Sequence, residues 1–592
     1  MTPIHLLLAT TAAFAPAAAH AAEPGVSAPT TVERVEGDGV PDQLDEGQRA
    51  AYRAIFASIR AERWTDAQLQ LDAMRPGPLH ALVRAELFTA KNSPKAAAEP
   101  LLALLAEAPE LPHAAQLARL AKSRGAVETP QLPYEQKLVW YDGAPNRRRA
   151  ATIKSDAAAA ALTAAMTPLI KEDRGAEAEA LVEVQAGVLT PDALTEWRQR
   201  TAWIHYAAGD DVSARRVAAL AQTGMGEWAA QADWVAGLAA WRMKDCAAAD
   251  TAFASVARRA GDTDLRAAGL YWASRAAIAC VRPDLVQSRL QGAAQFGETF
   301  YGQLARQALG IAAPLTAGER ATAEDWQTLG RRPNVRVAAA LVEIGEGELA
   351  EAVIRQQAKI GPTGEFAALT RLAGRLNLPS TQLWLSHNAP AGSQPAVASR
   401  YPTPSWTPDG GWRVDKELVY AHTLQESRFR IAVVSPAGAY GLMQIMPAAA
   451  TDIARARGSA PIDRVALTRP STNIEVGQSY LERLRDQPVT GGLLPKVIAA
   501  YNAGSLPVAL WNARMKDGGD PLLYIESIPY WETRGYVMTV LRNYWMYEAQ
   551  AGKTSSSRAA LAQGLWPKFP GKGSAAVRLS ASGFEAPAAR AN

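Results

Sequence analysis

Cysteine is scarce in this sequence, and neither sign of charge is in large excess. Only 2 of the 592 residues are cysteine, which excludes a disulfide-rich scaffold and a zinc or iron–sulfur site with four cysteine ligands. Lysine and arginine number 62 against 58 aspartate and glutamate, a formal net charge of +4, so we expect no nucleic-acid partner. Hydrophobic residues make up 48% and charged residues 20%, proportions that exclude a wholly disordered chain.

Sequence signatures of metal, nucleotide and serine-hydrolase chemistry are also absent. The sequence has no His-Glu-x-x-His, the pattern that places two zinc-binding histidines on one helix face. It has no phosphate-binding Gly-x-x-x-x-Gly-Lys-Ser/Thr loop and no Gly-x-Ser-x-Gly nucleophile elbow. We therefore expect neither a metal site nor a cofactor.

An apolar run stands at the start of the sequence. It begins near residue 6 and ends in Ala19-His20-Ala21, the small-x-small pattern of signal-peptidase sites. The run is shorter than the roughly 20 apolar residues that a membrane-spanning helix needs. We predict that residues 1–21 are a cleaved signal peptide, that the protein is periplasmic, and that it has no transmembrane span. No Lys or Arg precedes the run, which departs from the pattern, and an alanine-rich terminus without a targeting role is the alternative.

Residues 22–387 repeat one theme. Ala-, Leu- and Arg-rich segments with apolar spacing near 3.6 alternate with Gly, Pro or Asp, and strand patterns are weak. Gly237 and Ala240 are small enough to permit close helix approach, and Phe253 supplies a packing face on the next helix. A helical hairpin cannot bury its apolar face alone, so neighbouring hairpins stack. This region is predicted to be a helical-hairpin solenoid, or superhelix.

The two cysteines both lie in this predicted solenoid. Cys246 and Cys280 are 34 residues apart and each stands near a predicted hairpin turn. Stacked hairpins with that period bring equivalent turns close together, and export exposes the chain to an oxidising compartment. A disulfide and two separate buried thiols are both compatible with the sequence.

Composition changes twice more along the chain. Residues 388–411 are rich in Pro, Gly and Ser and are predicted to be a linker. Residues 412–550 carry the motifs described below and are predicted to be the catalytic domain. Residues 551–592 are predicted to be a flexible C-terminal tail.

One glutamate stands at the end of a helical pattern and close to an apolar segment. Residues 415–427 have helical spacing, and Glu426 lies near their end. In residues 435–450 a Pro-Ala-Gly turn leads into an apolar run that only Gln444 interrupts, which suggests a pocket wall with one placed amide. Such a wall beside Glu426 would desolvate its carboxylate and raise its pKa, as a general acid near neutral pH requires.

Several motifs of residues 412–550 together resemble those of soluble lytic transglycosylases. Glu426-Ser427, Ser435 and residues 438–447 (GAYGLMQIMP) resemble the opening motifs of that family. Residues 473–481, 499–504 (AAYNAG) and 525–537 resemble its later motifs, in the same order. In the helical half, residues 300–302 (FYG) resemble a sequence that precedes the final helices of that region. The resemblance implies an all-α protein in which a lysozyme-like, α-rich catalytic domain follows the solenoid.

The resemblance also implies a reaction. Lytic transglycosylases cleave the β-1,4 bond between N-acetylmuramic acid and N-acetylglucosamine in peptidoglycan glycan strands without water. Glu426 matches their single catalytic acid, which protonates the glycosidic oxygen and then, as a carboxylate, takes the proton of the muramoyl C6 hydroxyl while a 1,6-anhydro ring closes. Ordinary glycosidases use two carboxylates, and no Asp or Glu occurs in residues 427–447. The implied partners are peptidoglycan glycan strands, with other cell-wall enzymes as further candidates.

The matched positions imply substrate-binding roles for six further residues, which are Ser435, Gln444, Met446, Tyr501, Asn502 and Glu526. Ser435, Gln444 and Met446 would line the sugar subsites. Tyr501 and Asn502 would hydrogen-bond near Glu426 or the substrate, and Glu526 would bind substrate from the far wall of the groove. Met446 and Tyr501 are also suited to a core, and Glu526 to a structural ion pair with Arg534. His422 is expected to be a packed helix residue rather than a base.

Two other functions remain open on the sequence. A hydrolytic muramidase would admit water to the same site and would leave a reducing muramic acid end. A peptidoglycan-binding scaffold would keep the fold with a vestigial catalytic domain, while its helical repeats recruit partner proteins. The complete motif set argues against the scaffold.

Overall fold

The computed structural model describes residues 39–312, 315, 323–571 and 575–579. Helices dominate the described residues, which contain one sheet, of two strands. The prediction of an all-α protein is confirmed. No helix in the described ranges combines the length and the apolar character needed to cross a bilayer. The predicted signal peptide, residues 1–21, lies outside the described residues.

The elements follow one another in chain order. The N-terminal elements are α1 (Glu46–Arg60), α2 (Trp64–Ala73), α3 (His80–Thr89), α4 (Ala98–Glu107), α5 (Ala114–Ser123) and β1 (Leu138–Trp140). The next are α6 (Ala157–Lys171), α7 (Gly175–Val184), α8 (Pro191–Ala208), α9 (Asp211–Gln222), α10 (Gly226–Arg242), α11 (Cys246–Arg259), α12 (Thr263–Ala279), α13 (Pro283–Ala294) and α14 (Phe300–Ala308). Then come α15 (Ala323–Leu329), α16 (Pro333–Ile344), α17 (Gly347–Ile360), α18 (Phe366–Arg375), α19 (Pro379–His387) and β2 (Asn388–Pro390). The last are α20 (Lys416–Glu426), α21 (Pro447–Ala456), α22 (Pro470–Arg485), α23 (Leu494–Ala503), α24 (Ser505–Arg514), α25 (Pro521–Ser527), α26 (Trp531–Gln550) and α27 (Ser556–Ala562).

Packing divides the described residues into two compact units. One contains residues from the ranges 1–141, 318–412 and 426–477, and the other residues from 142–317, 413–425 and 478–592. The predicted linker lies wholly within the first unit, whereas the predicted solenoid and the predicted catalytic domain are each divided between the two units, because the division follows contacts in space rather than chain order. Each unit is described by itself below.

Local sequence explains where the helices of the second unit begin and end. Thr190 accepts a hydrogen bond from the Ala193 amide, and Pro191 occupies the first turn of α8, where an amide hydrogen is not needed. The helix ends at Gly209, whose φ of 84° is left-handed. Asp210 then accepts a hydrogen bond from the Ser213 amide and caps α9. Adjacent stop and start signals of this kind produce helical hairpins.

Helices α8 to α14 pack in order, each against the next. Gly237 of α10 faces Phe253 of α11 so closely that a Cβ at residue 237 would lie 2.5 Å from the ring. Phe253 is fully buried and contacts Trp234 and Trp272, with ring centroids 5.3 and 5.4 Å away. The predicted close approach at Gly237 is therefore present, and aromatic side chains fill the space around it.

Cys246 at the start of α11 and Cys280 directly after α12 form a disulfide. Their Cα atoms are 5.6 Å apart. Of the two alternatives that the sequence left open, the structure contains the crosslink between neighbouring hairpins.

The predicted linker, residues 388–411, is packed against its own unit. β2 pairs antiparallel with β1, with Leu138 opposite Pro390. A 3-10 turn follows at Val397–Arg400, and Tyr401 and Trp406 are 2% and 4% exposed. The two buried aromatic side chains make this segment, predicted to be a linker, part of a core.

The segment from residue 551, predicted to be a flexible tail, is partly packed against the second unit. α27 lies in this segment, and Trp566 beyond it is 0% exposed and donates its indole N–H to the Gly519 carbonyl at 2.8 Å. The Leu494 amide donates to the Pro567 carbonyl, also at 2.8 Å. A few apolar side chains in a polar stretch thus anchor it, while residues 580–592 lie outside the described residues.

Candidate active site

Glu426 is the last residue of α20, and its side chain is half-buried. Directly after it the backbone passes through two consecutive left-handed residues, Arg428 with φ 53° and Phe429 with φ 62°. This conformation is costly for residues other than glycine, and it is held here because Phe429 is buried 6.3 Å from the Trp406 ring. The helix therefore ends abruptly at the carboxyl that the sequence singles out.

The segment that follows the turn folds into a tight loop held by its own backbone. The Tyr440 amide donates to the Ile445 carbonyl at 3.0 Å, and the Ile445 amide donates back at 2.9 Å. Tyr440 is also bridged to Val434. The hydroxyl of Ser435 accepts a hydrogen bond from the Ala439 amide at 3.0 Å. Ser435, predicted to line a sugar subsite, thus shapes the turn of this loop.

Gln444 and Met446 lie in different environments. Gln444 is half-buried and left-handed, with φ 48°, and its side-chain amide donates to the carbonyl oxygens of Gly441 at 2.9 Å and Val433 at 3.3 Å. Met446 immediately precedes α21, and its side chain is 43% exposed. A core role for Met446 is therefore wrong, and its exposed thioether is available for contact with a ligand.

Asn473 of α22 holds the loop from behind, a role that the motif alone did not reveal. Its side chain is fully buried and donates to the carbonyls of Tyr440 at 2.9 Å and Leu467 at 2.7 Å. Its amide oxygen accepts a hydrogen bond from the Met443 amide at 2.8 Å. Gly441, with φ 72°, leaves no space for a Cβ against the Leu467 carbonyl and Asn473. The signal available in the sequence was an asparagine in a helix that matched the family motif.

Tyr501 of α23 belongs to the second unit and is half-buried. Its ring centroid is 4.6 Å from that of His422 and 5.4 Å from that of Tyr480. His422 is fully buried in α20, with its Nδ1 2.9 Å from the Tyr536 hydroxyl. Burial lowers the pKa of His422 to about 3, so the imidazole is neutral near pH 7 and packs as expected.

Asn502, the next residue of the AAYNAG motif, is half-buried. Its amide oxygen accepts a hydrogen bond from the Thr533 hydroxyl at 2.6 Å. Thr533 lies in the first turn of α26 and is 2% exposed. This bond joins the AAYNAG motif to the last motif and fixes the orientation of the Asn502 amide.

Glu526, predicted to bind substrate, is buried and bonded within the second unit. Glu526 is 0% exposed. One carboxylate oxygen pairs with the Arg147 guanidinium at 2.7 Å, and the other accepts a hydrogen bond from the Tyr301 hydroxyl at 2.7 Å. Arg147 is 3% exposed and also pairs with Asp264 at 3.2 Å. Both oxygens of Glu526 are therefore used inside the protein.

Arg534, the structural partner that the sequence suggested for Glu526, has other contacts. Its Nε donates to the Ile528 carbonyl at 3.1 Å, and its guanidinium lies 4.1 Å from the Trp203 ring. The exposed glutamate of this motif is Glu532, and partial burial raises its pKa.

The FYG segment at residues 300–302 has a structural purpose in the second unit. Tyr301 supplies the hydroxyl that binds Glu526, and the Phe300 ring stacks on Trp545 of α26 at 5.1 Å. A Cβ on Gly302 would overlap the Phe296 carbonyl. Each of the three residues thus has a contact that explains its type.

Metal-binding geometry is not found in the described part of the chain. Within it, no group of three or more His, Cys, Asp or Glu side chains is arranged to hold a metal ion.

The fold and the site define a class of protein: an all-α chain of stacked helical hairpins with a lysozyme-like, α-rich domain that ends one helix at a half-buried glutamate. Residues 408–522 match the family model described as "Transglycosylase SLT domain". Over 133 residues the chain is 40% identical to the soluble lytic murein transglycosylase of Salmonella typhimurium, and over 135 residues 38% identical to that of Escherichia coli K12. These segments cover 22% of this chain and 20% of each relative, so the chain aligns with about a fifth of the length of these curated proteins.

Solved structures match over much more of the chain. The crystal structure of the 70 kDa soluble lytic transglycosylase from Escherichia coli matches 89% of this chain and 100% of its own, with a TM-score of 0.55 and 18% identity. The lytic transglycosylase Slt from Pseudomonas aeruginosa matches 88% of each chain, with a TM-score of 0.52 and 18% identity. At this identity the likeness shows the fold. Residues 408–522 are therefore similar to the SLT domain of soluble lytic transglycosylases.

Proposed function

We propose that this protein is a lytic transglycosylase that cleaves the β-1,4 bond between N-acetylmuramic acid and N-acetylglucosamine in peptidoglycan. The observation that carries the proposal is Glu426, a half-buried carboxyl at the end of α20, within the segment that matches the SLT domain model. Relatives that are 40% and 38% identical over 133 and 135 residues are soluble lytic murein transglycosylases.

One carboxyl suffices for this chemistry because the substrate supplies its own nucleophile. Glu426 donates its proton to the glycosidic oxygen as the bond from the muramoyl C1 to that oxygen breaks. The resulting carboxylate then takes the proton of the muramoyl C6 hydroxyl while O6 bonds to C1, which closes the 1,6-anhydro ring and restores the acid. Water is not consumed, unlike in glycosidases that use a second carboxylate. The absence of Asp and Glu from residues 427–447 agrees with this scheme.

The other predicted site residues take roles that suit their surroundings. Met446 offers an exposed apolar contact to a sugar ring. Ser435 and Gln444 act through the loop that they shape, and they present it to the glycan. Tyr501 and Asn502 are half-buried hydrogen-bonding groups on α23, suited to bind substrate.

The location and organisation of the protein follow from this proposal. A murein-cleaving enzyme works on the cell wall, so the chain is exported, and residues 1–21 serve as the signal peptide of a periplasmic protein. Residues 22–387 form the solenoid, 388–411 the connection and 412–550 the catalytic domain. Other cell-wall enzymes are candidate partners of the solenoid.

Product analysis tests the proposal. Purified sacculi are digested with wild-type protein and with Glu426→Gln, and the released fragments are identified by mass spectrometry. We expect 1,6-anhydromuramoyl ends from the wild type and a loss of turnover of several orders of magnitude in the variant. Glu532→Gln, which removes an exposed glutamate from the last motif, is the control and should keep its turnover within about threefold. Reducing muramic acid ends would identify a hydrolytic muramidase, and no products from the wild type would indicate a scaffold.

A further inference from the structure

The side-chain amide of Asn502 is oriented by a single hydroxyl. The Oγ1 of Thr533 donates a hydrogen bond to the Oδ1 of Asn502 at 2.6 Å. This separation is usual for an O–H···O bond and shorter than that of an N–H···O bond, so the amide oxygen rather than the amide nitrogen faces Thr533. A terminal amide otherwise has two nearly equivalent orientations, because its last torsion is broad and two-fold. The hydroxyl therefore selects one of the two.

The opposite end of this amide is left for a ligand. Among the residues that the structure describes, no acceptor binds the Nδ2 of Asn502, which carries two N–H donors. The side chain is half-buried, so these donors stay within reach of a ligand. Because the oxygen is committed to Thr533, the group that Asn502 offers is a hydrogen-bond donor. It suits the hydroxyl, ring and carbonyl oxygens of a glycan.

Thr533 is itself firmly placed. It lies in the first turn of α26 and is 2% exposed. The next residue, Arg534, is buried, and its Nε donates to the Ile528 carbonyl at 3.1 Å, which holds the turn before α26. α23, which ends one residue after Asn502, packs against α26. A hydroxyl held in this way orients its partner before a ligand binds, so that little conformational freedom is lost on binding.

The same helix contains a matched hydrogen bond that involves no predicted site residue. Thr539 is buried, and its hydroxyl donates to the Oδ1 of Asn146 at 3.2 Å. Asn146 precedes α6 in the chain, and its Oδ1 also accepts a hydrogen bond from Arg542 at 2.7 Å. The pair of Thr539 and Asn146 thus has the chemistry of the pair of Thr533 and Asn502 without its link to the motifs of the site.

We propose that Thr533 is a positioning residue, which holds the Asn502 amide so that its N–H groups donate to the bound glycan. This inference rests on the proposed function and adds to it a residue that does not touch the substrate. Thr533 acts through Asn502 alone, and neither residue takes part in the proton transfers of Glu426.

Variants that differ by one group test this assignment. Thr533→Val removes the hydroxyl and keeps the shape, Thr533→Ser keeps a hydroxyl, and Thr539→Val removes the matched hydroxyl of the same helix. Asn502→Asp keeps an oxygen for Thr533 but has no N–H to offer, and Asn502→Ala removes both groups. KM and kcat are measured on glycan strands from sacculi, and Tm by circular dichroism. Calorimetric titration gives the Kd of the same strands in a Glu426→Gln background, where turnover does not interfere.

We expect Thr533→Val to raise KM and Kd about fivefold, the effect of one ordinary hydrogen bond, and to leave kcat within about twofold. Asn502→Asp should raise KM and Kd at least as much, while its Tm stays within about 2 °C of wild type because the bond to Thr533 remains. Thr533→Ser and Thr539→Val should match the KM and Kd of the wild type within about twofold. Thr539→Val should lower Tm about as much as Thr533→Val, since each loses one buried hydroxyl bond.

A variant that combines Asn502→Ala with Thr533→Val gives a further readout. Its KM should equal that of Asn502→Ala alone, because the hydroxyl then has no amide to orient. A loss that multiplies the two single effects would overturn the inference, since the two residues would then act independently.

Two other results would also overturn it. One is a KM and Kd for Thr533→Val equal to those of Thr539→Val, since the hydroxyl would then serve packing alone. The other is a failure of Thr533→Ser to restore binding. The 1,6-anhydro ends of the wild-type products are scored in the same digests. Their absence would contradict the proposed function, while the Kd values in the Glu426→Gln background would still decide the role of Thr533.

Discussion

Replacing Glu526 with Gln removes one of the two carboxylates that surround Arg147 in the core. The substitution keeps the size of the side chain and an oxygen that can accept a hydrogen bond from Tyr301. Arg147, whose side chain is 3% exposed, would retain Asp264 at 3.2 Å as its ion-pair partner. The change therefore tests whether residue 526 serves the core or the substrate.

The expected cost follows from burial. Removing one partner of a buried ion pair costs about 3–5 kcal/mol, because the remaining charge is left without compensation. Since Asp264 still compensates Arg147, we expect Glu526→Gln to lose about 3 kcal/mol of unfolding free energy. Arg147→Met removes the cation that Glu526 and Asp264 share, so the free energy of unfolding should fall by about 5 kcal/mol. In the variant that carries both substitutions, the free energy of unfolding should fall by about 2 kcal/mol less than the sum of the two single effects.

Urea unfolding followed by circular dichroism gives these free energies, and calorimetry gives Tm. A loss of 3 kcal/mol in a unit of this size corresponds to a Tm shift of about 6 °C. Glu532→Gln, an exposed change six residues further on, should stay within about 0.5 kcal/mol of wild type. At 25 °C, where the variant remains folded, KM and kcat of Glu526→Gln should match the wild type within about twofold.

A particular pattern would refute this reasoning. If Glu526→Gln raised KM several-fold on glycan strands and left urea unfolding unchanged, the carboxylate would have to reach the substrate in the working enzyme. The original sequence interpretation would then be right, and the ion pair with Arg147 would be unimportant for stability.

Three further predictions concern other parts of the molecule. Asn473→Ala leaves buried backbone groups of the loop after Glu426 without hydrogen-bond partners. Each unsatisfied group lowers the free energy of unfolding by about 1–3 kcal/mol, so Tm should fall by several degrees. Because the loop is less well held, kcat at 25 °C should fall by at least about tenfold. Reducing the Cys246–Cys280 crosslink, or replacing both cysteines with serine, should cost about 3–4 kcal/mol in urea unfolding, as the entropy of a 34-residue loop predicts. Burial, with the nearby Asp415 adding to it, raises the pKa of Glu548 to about 7, so the folded state holds this proton more tightly than the unfolded chain does. Its contribution to stability is complete below about pH 4.5 and is lost as the pH rises through 7; Glu548→Gln should therefore reduce the difference in urea stability between pH 5 and pH 8 by about 2–3 kcal/mol.

Periodicity and turn residues predicted the helices well, because those signals are local. Helices α1 and α2 lie within residues 22–387, where the apolar spacing predicted helical hairpins. Pro447 is the first residue of α21, where the missing amide hydrogen of proline costs nothing. Whether Cys246 and Cys280 form a disulfide or remain separate thiols depends on the rotation between neighbouring hairpins. A local sequence pattern does not predict that rotation.

Glu526 shows why site residues were harder to predict than helices. The resemblance implied a role for it at the predicted groove, and the sequence suggested Arg534, eight positions away, as its structural partner. The partner in the structure is Arg147, 379 positions away in the chain. An ion pair of that sequence separation is decided by tertiary packing alone. The packed tail at Trp566 has the same cause, since Gly519 and Leu494 supply its contacts from earlier parts of the chain.

Some of the motif residues around Glu426 hold the backbone of the loop that follows it. Asn473 binds the loop through its side chain, and Gly477 leaves room for the buried Met443, whose sulfur occupies the place that a Cβ would need. In the proposed reaction the substrate's own C6 hydroxyl is the nucleophile, so it must be held in line with C1. The sugar must therefore be placed by the shape of the loop, and small errors in that shape reduce the rate steeply. This is a physical reason why buried, non-reacting residues form part of the same sequence signature as the acid itself.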